Sequence, residues 1–488
     1  MQIGLVSGIT GGTVYPASVT EAQGAIWFLA RQGAEHVVGT VGPSAIAGRR
    51  VGQIEGRDVT VGPTSAANAR AVRQALPWTA SRRQGLAMSA GLGDRLGLAT
   101  PGHVRAVRGS GFAPVFAQQS IREMTRTRRS PQEIIDAATW GVFQEGWRDG
   151  YGSDADHLQN LADLDATVRA GFRMFTIDPG KHVVNEATSL PAAEAEARLA
   201  DLDVESLSAT PADLCRAYAD RTFPLDGGGS VRMTRVDLLR TLVKYGNAVA
   251  HAARMYRRLA ELAGEDFELE ISVDETDSPT SPAEHYFIAA ELRRLGVRWV
   301  SLAPRFVGRF EKGIDYKGDL ADFRRDFVVQ VAVMRTLGPY KLSLHSGSDK
   351  FCLYPIMADL TQGRIHLKTA GTSYLVALGA LAGTEPALFR EILDFARDRY
   401  EADKASYHVS AELAKVPPAS ALADGQLAGL LDDVHARQVL HVTFGSVLTA
   451  DDGQRFRPRI LEALTAHEEA HYAALEKHLR RHLAPFRR

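Results

Sequence analysis

The chain has 488 residues, 45% of them hydrophobic and 24% charged, so it can bury a large core as one big domain with additions or as two to three smaller ones. Its 57 Lys+Arg and 58 Asp+Glu residues leave a formal net charge of -1, which excludes a global field that would attract nucleic acid or an anionic membrane. The two cysteines, Cys215 and Cys352, cannot form a disulfide framework, and neither has the neighbours of a zinc motif. We therefore expect a globular, cytoplasmic protein whose partner is a small molecule.

The N-terminal stretch, MQIGLVSGITGGTVYPASV, lacks the basic leader and the small-residue cleavage site of a signal peptide. No apolar run approaches the roughly 20 residues of a membrane-spanning helix. We expect no membrane partner, and we treat residues 1–80 as an additional N-terminal segment.

Eight strand-like runs follow this segment, separated by turns or helical stretches. The first four are residues 85–93, 112–118, 150–156 and 173–180. After a long insertion come residues 267–275, 298–304, 340–347 and 364–371.

Helical segments lie between several of these runs. Residues 281–296, SPAEHYFIAAELRRLG, begin with Ser-Pro and end at Gly296, as is typical of a helix. Strands that alternate with helices indicate a parallel sheet, and eight such units predict an α/β protein with a TIM-like (β/α)8 barrel, although a doubly wound open sheet is the alternative. No GxGxxG or GxxxxGK(S/T) motif joins a strand to a helix, so nucleotide binding has no support.

We expect the catalytic barrel at residues 81–380. It would include a helical insertion at 181–265 and be followed by a mostly helical C-terminal region at 381–488. Within that region, HEEAHYAALEKHLRRHL has the pattern of an exposed amphipathic helix.

The polar side chains of the later runs share one face. In residues 267–275 the apolar Leu269, Ile271 and Val273 alternate with polar residues, because successive strand side chains point to opposite faces. The apolar face suits the surrounding helices, so the polar face should point into the barrel, where the carboxyl ends of the strands form the active site. The same argument in three other runs gives one inward set: Glu268, Glu270, Ser272 and Asp274; Thr176 and Asp178; Lys341, Ser343 and His345; His366 and Lys368.

The third run ends in the motif DADH, residues 154–157. Asp154 and Asp156 share one parity and His157 has the other, so alternation alone does not place His157 at the barrel mouth. A turn at the end of the strand would be needed to bring it there.

Imidazoles and carboxylates at one end of a barrel are the donors of a divalent transition-metal site. Mn²⁺ or Zn²⁺ is the expected ion, with Ni²⁺ and Co²⁺ as alternatives, and a catalytic site keeps positions open for substrate oxygens. The ion would polarise a carbonyl and stabilise an enolate or alkoxide. Asp156 and Glu270 would exchange protons with the substrate as a base/acid pair.

Each feature also has a purely structural explanation. A single inward histidine is more often a hydrogen-bonded core residue than a metal ligand. Glu268 and Lys341 lie near strand starts, where we expect a structural ion pair at the bottom of the barrel. The GSDK turn after His345 would serve only as a helix N-cap, with Ser348 or Asp349 capping.

Eight long blocks occur in order between about residues 90 and 375: GLGDRLGLATPGH, FAQQSIREM, DADHL, FTIDPG, VDETDSPT, APRFVGRFEKGIDY, SLHSGSDKF and HLKTAGTSYL. Together they resemble the tagaturonate epimerase family, the metal-dependent hexuronate C4-epimerases. The resemblance implies interconversion of D-tagaturonate and D-fructuronate with a divalent cation. It also implies Asp156 as the proton acceptor, Glu270 as its acid partner, and His157 and His345 as metal ligands; we add His366 as a third ligand from its parity.

The implied reaction inverts a carbinol carbon that is β to the ketone, where simple enolisation cannot reach. We favour retro-aldol cleavage: Asp156 takes the hydroxyl proton, the aldehyde turns its other face, and the bond re-forms within a closed pocket. Transient oxidation and direct proton removal are the alternatives. Other functional classes are a fructose/tagatose epimerase, a class II aldolase-like lyase on a keto sugar acid, and a non-catalytic sugar-binding subunit.

The partner is expected to be a keto sugar or a keto sugar acid. A hexuronate requires an arginine or lysine for its carboxylate. Four basic residues are eligible, Arg122, Arg305, Lys350 and Lys368, and the sequence does not choose among them. The metal, a homo-oligomeric state and the role of the insertion also stay open. The substrate-binding candidates are Gln119, Arg122, Asp178, Arg305, Lys350 and Lys368.

Overall fold

A computed structural model of the protein describes residues 3–487, which begin with a six-stranded antiparallel sheet. The strand order is β1-β3-β4-β6-β5, and β2 also pairs with β3. Glu55 and Gly56 join β5 to β6 with φ values of 51° and 75°, the left-handed geometry that a tight two-residue hairpin needs. The elements are α1 (Ile3–Thr10), β1 (Thr13–Val14), β2 (Thr20–Ala22), β3 (Ala25–Gln32), β4 (Glu35–Val41), β5 (Arg49–Ile54), β6 (Arg57–Pro63) and α2 (Ala66–Ala75).

Eight parallel strands then close into a barrel, which confirms the predicted fold class. Each of the eight predicted runs overlaps one barrel strand, although β8 and β9 extend two residues beyond their predicted runs. The first and last strands, β7 and β16, pair to close the ring. The strands are β7 (Ser89–Gly93), β8 (Ala113–Ser120), β9 (Gly152–Leu158), β10 (Met174–Ile177), β13 (Glu268–Val273), β14 (Ser301–Pro304), β15 (Lys341–Leu344) and β16 (Ile365–Lys368).

Helices cover the outside of this barrel. The predicted helix at 281–296 is present as Pro282–Arg294: the Ser281 hydroxyl accepts from the backbone N–H of Glu284, and Gly296 follows the helix with a φ of 73°. These helices are α3 (Thr100–Val107), α4 (Ile121–Thr127), α5 (Pro131–Gln144), α6 (Leu161–Ala170), α11 (Pro282–Arg294), α12 (Leu320–Leu337), α13 (Tyr354–Thr361) and α14 (Thr372–Thr384).

The two faces of the barrel strands divide as their alternation predicts. Leu269, Ile271 and Val273 are buried in the core between strands and helices. Lys341 reaches across the bottom of the barrel, but it does not form the expected ion pair with Glu268. Its ammonium instead donates to the backbone oxygens of Gly85 and Ala87, at 2.9 and 3.2 Å, and the Glu268 carboxylate accepts from the backbone N–H of Gly85.

The segment between β10 and β13 is built mainly from helices. It also contains a two-stranded hairpin, which the sequence analysis did not predict; the DGGGS turn is its signal. The elements are α7 (Ala192–Ala197), α8 (Val204–Leu207), α9 (Pro211–Tyr218), β11 (Arg221–Pro224), β12 (Ser230–Met233) and α10 (Arg235–Ala263).

Helix α10 holds the loop that follows β13. Lys244 is 1% exposed, and its ammonium donates to the Ser278 hydroxyl and to the Glu284 carboxylate, each at 2.9 Å. Asn185, also in the insertion, accepts the backbone N–H of Asp277 at 3.0 Å. The insertion therefore fixes the loop that begins at Asp274, directly at the carboxyl end of a barrel strand.

Lys244→Met is expected to destabilise the protein by about 3 kcal/mol, because it leaves the largely buried Glu284 carboxylate without its partner. The change should lower the midpoint of thermal unfolding. Arg198→Met is the matched control, since it breaks an exposed pair with Glu194 and should cost less than about 1 kcal/mol. Equal midpoints for the two variants would contradict the role given to Lys244.

The C-terminal region is helical. Its last long helix, α20, is amphipathic as predicted, but it is not simply exposed: one face packs against α3 and α14, with Leu475, Leu479 and His482 fully buried. The helices are α15 (Pro386–Asp403), α16 (Asp424–Leu427), α17 (Val434–Val442), α18 (Phe444–Thr449), α19 (Arg457–Ala466) and α20 (Glu468–Leu483).

Histidines of α20 bind the GSDK turn after β15. The ring of His482 accepts the backbone N–H of Asp349 at 2.9 Å, and His478 lies 3.2 Å from the Asp349 carboxylate. Arg437 pairs with the same carboxylate at 2.9 Å. The Asp349 side chain thus anchors the C-terminal region, whereas the sequence analysis gave it at most a capping role.

Within residues 3–487, no helix is long and apolar enough to cross a membrane.

Candidate active site

A buried ammonium lies among three carboxylates at the carboxyl end of the barrel. Lys368, the last residue of β16, contacts Asp154, Asp156 and Glu270 at 2.8, 2.7 and 2.8 Å. The Lys368 ammonium also lies 2.7 Å from the hydroxyl of Thr176. These residues come from β9, β10, β13 and β16, so only the closed ring brings them together.

Two histidines lie beside this group. His345 follows β15, and its imidazole is 2.6 Å from Glu270 and 3.0 Å from Asp274. His157 lies 2.7 Å from Asp156 and 3.9 Å from Asp274. The two ring centroids are 4.9 Å apart, so both imidazoles face the same space.

The backbone at the end of β9 brings His157 round to this space. His157 has a φ of 56°, and the pairing of β9 with β10 shifts register at this point. Such a local turn changes the direction of one side chain without moving the strand. This turn places the His157 side chain at the barrel mouth, which strand alternation alone did not predict.

The charges of the group determine which groups are ionised. Burial opposes every charge here and raises the pKa of Asp154 to about 6. Burial also tends to raise the pKa of Asp156 and of Glu270, but neighbouring positive charges outweigh it. His157 and Lys368 hold the pKa of Asp156 well below its usual range, and Lys368 does the same for Glu270.

The histidines show the reverse effect. Burial lowers their pKa, but the neighbouring carboxylates outweigh it. Asp156 raises the pKa of His157 to about 10, and Asp274 raises that of His345 to about 9. Both rings are therefore in the doubly protonated, positively charged imidazolium form at neutral pH when no other cation is bound.

The donor set fits a divalent cation. Asp156, His157 and His345 each offer one ligand atom, and these atoms all lie within 4.8 Å of one another. Two permanently charged cations, Lys368 and Arg122, pair with carboxylates in and around this group. The carboxylates number five: Asp154, Asp156, Glu270, Asp274 and Glu275. A metal ion that displaced the imidazole protons would balance this negative excess.

A cavity of about 830 Å³ opens over the group. Its inner wall includes His345 and Asp274, and its outer wall includes residues 407–410 of the C-terminal region, so that region covers the barrel mouth. Tyr407 in this segment accepts a hydrogen bond from Arg126. A second cavity, of about 900 Å³, contains Pro355 and Phe486 and none of the clustered residues.

The structure does not bring every predicted site residue to the cluster. His366 lies one inward position below Lys368 on β16, where its ring is 2.8 Å from the hydroxyl of Ser89 and burial lowers its pKa to about 3. Lys350 points its ammonium at the backbone oxygens of Glu311, Ile314 and Ser348, at 3.0, 2.5 and 2.9 Å.

The remaining substrate-binding candidates are in three different situations. Gln119 is buried, and neither end of its amide has a hydrogen-bond partner within residues 3–487. Asp178 accepts from the amide of Gln159 at 2.7 Å. Arg122 and Arg305 line the cavity, and Arg122 makes two hydrogen bonds to Glu275, at 2.9 and 3.0 Å.

Several residues that the structure places here had no predicted role. Asp154 and Asp274 shared the inward parity of the predicted catalytic acids, and that parity was the available signal. Lys312 and Tyr407 come from loops without periodicity; Lys312 lies in one of the blocks that carry the family resemblance, but no pattern singled it out. Lys312 lines the cavity and donates to the hydroxyl of Ser346 at 2.7 Å.

A closed parallel barrel with ionised carboxylates and imidazoles at the carboxyl ends of its strands defines a barrel enzyme. Residues 15–486 match the tagaturonate epimerase family, and the chain belongs to that family. Its members are epimerases, which are isomerases.

Two relatives support this assignment across nearly the whole chain. The tagaturonate/fructuronate epimerase of Thermotoga maritima is 41% identical over 476 residues, which cover 97% of this chain and 96% of the relative. Crystal structures of the fructuronate-tagaturonate epimerase of Cohnella laeviribosi, native and with glycerol, superimpose with a TM-score of 0.92 at 35% identity, over 99% of this chain and 98% of theirs.

Proposed function

We propose that this protein interconverts D-tagaturonate and D-fructuronate by inverting C4 (ketose numbering), with a divalent cation, by retro-aldol cleavage and re-addition. The observation that carries the proposal is the cluster of two imidazoles and ionised carboxylates around Lys368, at the end of the barrel where such enzymes act. The similarity to the Thermotoga epimerase gives the substrate pair.

His157 and His345 are the proposed imidazole ligands. We assign the carboxylate ligand to Asp274, which lies 3.9 Å from His157 and 3.0 Å from His345, in place of the His366 put forward from the sequence. Asp156 also offers an oxygen within reach of both rings, and we assign it to proton transfer instead. When bound, Mn²⁺ or Zn²⁺ would stabilise negative charge that develops on the substrate oxygens. Because both imidazoles must lose a proton first, metal affinity should fall as the pH is lowered.

Asp156 acts as the proton acceptor. Gln118 donates to its second oxygen at 2.9 Å and Lys368 contacts the first at 2.7 Å, so the carboxylate is ionised and held in one orientation. In that state it can take the proton of the C4 hydroxyl as the C3–C4 bond breaks. The products of cleavage are the enediolate of dihydroxyacetone and tartronate semialdehyde, which together contain all atoms of the sugar acid.

Glu270 acts on the other side of Lys368. Its carboxylate contacts His345 and Lys368 and accepts from the Ser301 hydroxyl at 2.5 Å, so it fixes the position of both cations. We assign it the partner role in proton return once the aldehyde has turned its other face. In the reverse direction the roles of the two carboxylates exchange.

The test uses protein stripped with a chelator and incubated with D-fructuronate in D₂O, with and without Mn²⁺ or Zn²⁺. D-fructose is tested in parallel, because the neutral fructose/tagatose pair differs only in lacking the carboxylate. We expect D-tagaturonate only when metal is added, without deuterium on C4, as resolved by chromatography and mass spectrometry.

Other outcomes separate the alternatives. Deuterium at C4 would support direct proton removal and overturn the retro-aldol mechanism. Accumulated tartronate semialdehyde without epimer would make the protein a lyase. Formation of neither product with any metal would overturn the proposed activity.

A further inference from the structure

We propose that Arg305 binds the carboxylate of the sugar acid and thereby retains the three-carbon aldehyde fragment while C4 turns. This inference rests on the proposed function and deepens it, because it assigns a subsite to the group that distinguishes a hexuronate from a ketohexose. Four basic residues were candidates from the sequence, and the contacts of each decide among them.

Three of the four are already engaged. Lys350 is surrounded by three backbone oxygens. Lys368 is held by three carboxylates beneath the cavity. Arg122 makes its two hydrogen bonds to one carboxylate, that of Glu275, so a substrate carboxylate would have to displace a bidentate partner.

Arg305 is different because its backbone is fixed and its guanidinium is unpaired. Its N–H donates to the Thr280 hydroxyl at 3.1 Å, and its carbonyl oxygen accepts from the Thr280 N–H at 2.8 Å. The half-buried side chain lines the cavity and has no hydrogen bond or ion pair with any residue from 3 to 487. A guanidinium whose backbone is fixed and whose N–H donors are unpaired is suited to bind a planar carboxylate through two hydrogen bonds.

Its place in the barrel suits the geometry of the reaction. Arg305 directly follows β14, which lies between β13, the strand of Glu270, and β15, which leads to His345. Arg305 and His345 line the same cavity, so a substrate bound at the imidazoles has the end of β14 beside it.

The carboxylate belongs to the fragment that must move. Cleavage between C3 and C4 leaves C4, C5 and the C6 carboxylate together as tartronate semialdehyde. Two parallel N–H···O bonds to the carboxylate would hold one end of this fragment while the aldehyde turns at the other. Retention in the pocket keeps re-addition effectively intramolecular.

Arg309 provides the matched comparison. It lines the same cavity and its side chain is also unpaired within residues 3–487, but it is exposed and lies farther along the loop after β14. Arg305→Met should lower kcat/KM for D-fructuronate on the order of 10²-fold, with a rise in the fraction released as tartronate semialdehyde. Arg309→Met should cause a smaller loss and no fragment release, and Arg305→Lys should recover part of the activity.

A ligand-binding experiment tests the carboxylate subsite without requiring catalysis. D-glycerate and glycerol differ in carboxylate against hydroxymethyl, so thermal shift assays with each report the subsite directly. Wild-type protein should be stabilised more by glycerate than by glycerol, and Arg305→Met should remove that difference while Arg309→Met keeps it.

The outcomes separate the two proposals. If wild-type protein forms no epimer, the proposed function fails, and the glycerate arm still tests the subsite. Loss of the glycerate preference in Arg305→Met alone supports the carboxylate subsite. Equal effects of the two methionine variants on glycerate binding, or on fragment release, would overturn it.

Discussion

Lys368→Met is expected to abolish epimerisation and to destabilise the fold by about 3–5 kcal/mol, because it removes the one ammonium that pairs with three buried carboxylates at once. Loss of a surface ion pair costs less than about 1 kcal/mol. The unfolding midpoint and the far-ultraviolet circular dichroism of the variant would show the change. Lys404→Met, which breaks an exposed pair with Glu401, is the control.

A second substitution distinguishes repulsion from lost packing. Burial raises the pKa of Asp154 to about 6, so its charge is the least stable of the three in the folded protein. Asp154→Asn added to Lys368→Met should therefore recover part of the stability. It should not recover activity, since Asp156 and Glu270 still lack the ammonium that connects them. A double variant no more stable than Lys368→Met would contradict the charge argument.

The barrel could be predicted from the sequence because its strands carry two signals at once. In β13, Leu269, Ile271 and Val273 alternate with Glu268 and Glu270, which identifies the strand and its inward face together. The count of eight then indicates closure. Both inferences use only local pattern, and both agree with the structure.

The N-terminal sheet was not predicted, although its strands β3, β4 and β6 have seven or eight residues each. Strands β1 and β2 have two and three residues, too short for an alternating pattern to be read. The hairpin turn at Glu55 and Gly56 was the clearest available signal.

The partners within the site lie beyond local pattern. Which residue contacts Lys368 depends on strand order and on the shear of the closed ring, and these are properties of the whole barrel. The position of His157 depends on a positive φ at a residue that is neither glycine nor asparagine. Parity gave Asp274 the correct direction, but only the folded chain places it between two imidazoles.

Asp156→Asn is expected to lower kcat for D-fructuronate by about 10²–10⁴-fold, the range for loss of a general base, while the protein keeps its metal. His345→Ala should lose both, because it removes one of the two imidazoles offered to the ion. Metal per chain after dialysis, measured by mass spectrometry together with kcat at saturating metal, separates the two effects.

Asp136→Asn controls for the loss of a buried carboxylate as such. Asp136 is buried and pairs with Arg73 at 2.7 Å, on α5 and outside the barrel mouth, so its amide variant should keep both metal and kcat. If Asp156→Asn instead lost its metal along with its activity, Asp156 would be a ligand and the proton acceptor would have to be another group. Because one oxygen of Asp156 contacts both a proposed metal ligand, His157, and Lys368, this single substitution decides whether the carboxylate serves the metal or the substrate.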